Sequence, residues 1–99
     1  MARQAHDEAA AEQLLSTGLQ ALGLTTAGLA RLPKGAPEKA ALAWWLRGRT
    51  TVTLRWVGER LGLGHCSRVA QAVSRVRHKP AKPLRPLLQK LRALDEQKG

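Results

Sequence analysis

TLRWVGERLGLGHCSRVAQAVSRVR, residues 53–77, is the stretch whose reading decides the fold. Thr53 is a residue type that caps a helix start, and Leu54, Val57 and Leu61 follow it at i, i+3 and i+7 along one helical side. Gly62 and Gly64 then bend the chain, after which Val69, Ala72, Val73 and Val76 restore the same period. The spacing predicts two amphipathic helices flanking a tight turn, the second over about 66–77. On that second helix Arg68, Gln71 and Arg75 fall at i, i+3 and i+7 on the side away from the valines, with no carboxylate among them. Such a face suits the major groove, where guanidinium and amide groups pair with base edges.

Upstream, Lys34-Gly35-Ala36-Pro37 forms a basic loop into a helix whose first position tolerates proline, because the missing N–H would have no acceptor within the helix. Ala40 to Leu46 is apolar all the way round, which predicts a central helix packed on more than one side and broken at Gly48. Two adjacent residues cannot point the same way on a helix, so Trp44 is expected to lie deep and Trp45 to be partly covered. An exposed tryptophan could instead stack on unpaired bases. Arg49-Thr50-Thr51-Val52 carries the chain to Thr53; Thr50 suits either a phosphate hydrogen bond or turn formation.

Towards the N-terminus, residues from about Asp7 to Leu22 place Ala11, Leu15, Leu19 and Leu22 on one helical stripe, interrupted by Gly18. Asp7 and Glu8 complement the positive end of that helix's dipole. Gly23 fits its C-terminal cap, and Thr25 or Thr26 can begin a short helix carrying Leu29 and Leu32 before Pro33. Beyond the central stretch, His78 to Pro83 is a proline-punctuated basic linker, followed by Leu84, Leu87, Leu88, Leu91 and Leu94 at helical spacing. That tail can fold back on the core, pair with another copy as a homodimer, or lie on a membrane. The first is preferred because so short a domain needs the leucines, and a membrane-lying helix usually carries an aromatic anchor that this one lacks. The chain thus divides into an N-terminal helical arm (1–24), a helix-turn-helix core (25–78) and a linker with a C-terminal amphipathic helix (79–99).

Charge narrows the partner. The 99 residues carry 17 Lys and Arg against 7 Asp and Glu, a formal +10, and between Lys39 and Arg92 thirteen basic residues meet a single acid, Glu59. Such asymmetry implies a polyanion, nucleic acid before anionic membrane. The longest apolar run is seven residues, where a spanning helix needs roughly 20. No secretory leader is read. The lone Cys66 has no partner for an internal disulfide, and no CxxC or paired His/Cys spacing offers a metal site, so the expected setting is reducing, cytoplasmic and nucleoid-associated.

One string carries a family resemblance: Lys34-Gly35, Pro37, Lys39, Leu42-Ala43-Trp44-Trp45-Leu46-Arg47, Thr50-Thr51, Thr53-Leu54, Trp56-Val57, Arg60-Leu61 and Leu63-Gly64-His65. Over about residues 25–77 the chain resembles the C-terminal region of bacterial REP-associated tyrosine transposases. More loosely, it is similar to the C-terminal DNA-binding domain of the replication initiator DnaA, of the Trp-repressor-like helix-turn-helix type. The initiator resemblance implies that His65, Ser67 and Arg68 stand where that family meets DNA. It implies no base preference, because His65-Cys66-Ser67-Arg68 replaces the Asp-His-Thr/Ser-Thr string that opens the family's recognition helix. Transposases of this kind cut DNA with a tyrosine and a His-x-His metal site, yet this chain has no tyrosine and no His-x-His.

The expectation is therefore an all-α, small helical bundle that binds duplex or hairpin DNA without catalytic residues, cofactor or metal. His65, Ser67, Arg68, Gln71 and Arg75 are expected at base edges, and Lys34, Lys39, Arg47, Arg49, Thr50, Arg55, Lys79 and Lys82 on the phosphate backbone. Two other classes stay open: a protein-interaction or dimerisation module built on the leucine tail, and an RNA-binding protein stacking bases on Trp45 or Trp56.

Overall fold

The computed structural model describes residues 2–78 and 82–98, with side chains described over 8–78 and 82–94. Among these residues the chain is all-helical, with no strand. The helices are α1 (Ala2–Leu22), α2 (Thr26–Arg31), α3 (Pro37–Arg49), α4 (Leu54–Leu61), α5 (Cys66–His78) and α6 (Leu84–Lys98).

Local chemistry sets most of the boundaries. Thr25 Oγ1 accepts the Gly28 N–H at 3.0 Å and Thr53 Oγ1 accepts the Trp56 N–H at 3.0 Å, so each threonine caps the helix that follows. Pro37 opens α3 at its first turn, as expected. After Leu22, Gly23 turns the chain, and the Leu24 N–H returns to the Leu19 carbonyl at 2.8 Å. Gly48 does not break α3, which runs on to Arg49. A lone glycine in a helix costs only about 1 kcal/mol relative to alanine, and α3 recovers more than that by burying its apolar surface.

α3 is the central helix. It packs against α1, α4, α5 and α6, most extensively against α5, and Ala40 to Ala43, Trp45 and Leu46 are all buried. The tryptophan order is the reverse of the expectation: Trp45 is 1 % exposed, while Trp44 is half-buried. Gly18 of α1 explains it, since a Cβ there would stand 2.9 Å from Cζ3 of Trp45. The missing side chain is the space the indole occupies. Trp44 turns instead towards α6, where the Arg92 guanidinium lies 5.9 Å from its ring centre.

The tail folds back. α6 packs on α1 and α3, burying Leu84, Leu88 and Leu91, with Leu87 and Leu94 half-buried beside them. This is the preferred arrangement of the three; the alternative, a homodimer through Leu84, Leu87, Leu88, Leu91 and Leu94, is left with only the half-buried Leu87 and Leu94 at the surface. No helix among the described residues is long and apolar enough to cross a membrane.

The turn between α4 and α5 is the tightest joint in the molecule. Gly62 sits at φ 71°, where an L side chain is strained, and lets the Leu63 N–H return to the Gly58 carbonyl at 2.8 Å. Leu63 then buries in the core between two glycines. Gly58 has no room for more: a Cβ there would stand 2.6 Å from the Gly64 carbonyl oxygen. Gly58→Ala is thus expected to destabilise the fold by about 1–3 kcal/mol despite alanine's better helix propensity, because the obstacle is backbone. Gly48→Ala, with open space around it, is expected to stabilise by about 0.5–1 kcal/mol. Paired thermal melts check both; equal melting temperatures would refute the account.

Candidate nucleic-acid interface

α5 is seated by one side and open on the other. Val69, Ala72 and Val76 are buried, Val73 is half-buried, and Ser67, Arg68, Gln71, Ser74, Arg75 and His78 are exposed. At about 100° per residue these six share the side of α5 opposite the valines. Gln71, Ser74, Arg75 and His78 together line one shallow depression. No Asp or Glu occurs between residues 66 and 78, so nothing on the helix itself offsets its cations.

The start of α5 is fixed by His65. Its Nδ1 accepts the Ser67 backbone N–H at 3.1 Å and lies 3.0 Å from Ser67 Oγ, which makes the imidazole the N-cap. Ser67, expected at a base edge, is the second residue of the helix and is exposed. Because Nδ1 accepts, a neutral His65 ring carries its proton on Nε2, and that edge is the one able to donate to a ligand.

The cations expected on phosphates divide by what holds them. Lys34 is exposed beside the turn: a Cβ on Gly64 would lie 3.4 Å from its Nζ and 4.0 Å from Cδ of Arg68. Lys34 and Arg68 therefore flank one glycine, which only the tertiary fold brings about. Lys39, expected among the surface cations, is not part of the open surface. It is 2 % exposed, with Nζ donating to the Gly62 carbonyl at 3.4 Å, because the first turn of α3 points under the α4–α5 joint. Burial, and then the neighbouring Lys34 ammonium, pull its pKa below the usual lysine value. Of the two roles expected for Thr50, the structure shows the turn role: its hydroxyl donates to the Leu46 carbonyl at 2.9 Å, finishing α3.

Arg47 donates to the Val52 carbonyl and lines a crevice with Leu54, Ser74, Arg77 and His78, which sets it against the flank of α5. Arg49 is exposed and stacks over the Trp45 ring at 5.4 Å. Arg55 pairs with Glu59 at 3.1 Å, so the basic stretch's one acid already offsets it. Lys82 is exposed, and Lys79 lies outside the described residues.

Three features escaped the sequence reading. Ser74 and His78 complete the outward side of α5, and Arg77 joins Arg47 at its flank; continuing the i, i+3, i+7 count from Gln71 would have found the first two. Arg60 of α4 makes a two-pronged ion pair with Glu12 of α1, its Nη2 lying 3.1 Å from Oε2. No sequence signal marks that contact, since the partners are 48 residues apart.

Among the described residues no group of three or more His, Cys, Asp or Glu side chains could hold a metal ion. The class that fold and surface define is thus a small all-α protein with a cationic helix face. No protein-family model, no curated protein and no solved structure matches the chain.

Proposed function

We propose that this is a non-catalytic, sequence-preferring DNA-binding protein in which α4, the glycine turn and α5 act as a helix-turn-helix. α5 enters the major groove, and the proposed setting is cytoplasmic and nucleoid-associated. The observation that carries the reading is the two-sidedness of α5: Val69, Ala72 and Val76 anchor it while Arg68, Gln71 and Arg75 stand exposed together. Thirteen residues at about 1.5 Å each give a rod of roughly 20 Å, long enough to cross a groove about 12 Å wide. Arg68, Gln71 and Arg75 reach base edges, His65 and Ser67 meet the edge of the site, and Lys34, Arg47 and Arg77 neutralise phosphates at its margins.

Base stacking on tryptophan is the weaker reading. Trp45 is enclosed, and Trp44 and Trp56 are half-buried against the core, so none offers a full ring face.

Binding to a randomised duplex pool tests the division of labour. Arg68→Ala is expected to relax preference at one position by about 1–3 kcal/mol, whereas Arg77→Ala weakens every sequence to a similar degree. Two variants that are uniformly and equally weak would remove groove reading and leave only charge.

A further inference from the structure

A second cationic feature lies on the α2 side of the turn and shares Lys34 with the margin of the α5 surface. Between α2, the Pro33–Ala36 loop and the end of α4 is a crevice of about 380 Å³, lined by Thr26, Lys34, Lys39, Glu59, Arg60 and Gly62 among others. We propose that this crevice is a phosphate-binding site in which the ammonium groups of Lys34 and Lys39 hold a phosphate mono- or diester.

Charge bookkeeping within the crevice supports it. Glu59 is engaged by Arg55 at 3.1 Å and Arg60 by Glu12, so the wall's acid and its guanidinium are each paired already. Among the described residues Lys34 and Lys39 have no such partner, and Lys39 makes a single, long hydrogen bond, 3.4 Å to the Gly62 carbonyl. An ammonium has three donors, and burying it with one weak acceptor and a second cation nearby is unfavourable. A phosphate between the two would supply both the countercharge and the missing acceptors. The turn is shaped around them: a Cβ on Gly62 would stand 3.1 Å from Lys39 Nζ, and one on Gly64 would stand 3.4 Å from Lys34 Nζ. Thr26 adds a hydroxyl at the rim. The site does not depend on α5 reading a duplex.

Titrating the whole chain with inorganic phosphate, against chloride at equal ionic strength, and following the backbone amides of Gly62 and Lys39 by NMR, tests the proposal. Saturable shifts are expected with phosphate alone, absent in Lys39→Met and reached at about tenfold higher phosphate in Lys34→Gln, an exposed change that does not threaten folding. Shifts that grow linearly without saturating, or that are the same in both variants as in the parent chain, would overturn it. A duplex added to the phosphate-loaded protein identifies the source of the ester. Displacement of the bound phosphate by the duplex assigns the site to the DNA backbone. Simultaneous occupancy by phosphate and duplex assigns it to a free phosphorylated small molecule. Should duplex binding fail altogether while phosphate saturates, groove reading falls and this site stands.

Discussion

Raising monovalent salt from about 50 to about 200 mM is expected to weaken duplex binding about 500-fold. Lys34, Arg47, Arg68, Arg75 and Arg77 stand on or beside the outward side of α5, and none of them is in an ion pair with another described residue. Neutralising about five phosphates gives a log–log slope near −4.5, and a fourfold rise in salt taken to that power is a factor of about 500. Arg55 and Arg60 are left out because Glu59 and Glu12 already hold them. Fluorescence anisotropy on a labelled duplex measures the slope directly. A value shallower than about −1 would mean that the positive surface does not meet phosphates.

Trp45→Ala is expected to destabilise the fold by about 3–5 kcal/mol, lowering the melting temperature by more than about 12 °C in a domain of this size. Trp45 is the largest of the fully buried side chains and fills the space left by Gly18, so its removal opens a cavity between α1 and α3. Trp45→Phe is expected to lose far less. The buried indole N–H has no hydrogen-bond partner among the described residues, and phenylalanine removes that unsatisfied donor along with the ring volume it gives up. Thermal denaturation of the two variants separates the terms; equal losses would show that the volume phenylalanine keeps recovers nothing and would refute the cavity account. Trp44→Ala, half-buried under Arg92, serves as the milder comparison.

Helix formation is a local matter, and the amino-acid order by itself determined it. The threonine caps, the proline at the start of α3, the glycine turn at Gly62 and the valine period of α5 act through neighbours at most a few residues apart. For the same reason the outward set Arg68, Gln71 and Arg75 was legible, because helical periodicity fixes which residues share a side. Leu84, Leu88 and Leu91 were legible as an apolar stripe, though not by their partner.

Tertiary structure decided what depends on neighbours distant in the chain. Trp45 rather than Trp44 went deep because Gly18, 27 residues earlier, leaves room for one ring and not the other. Lys39 was counted as a surface cation by residue type, yet the α4–α5 joint closes over it and gives its ammonium a backbone carbonyl. Glu12 and Arg60 found one another only when α1 and α4 were brought together. Composition counts charges without saying which are paired, and pairing between separate helices is a property of packing, which no local period encodes.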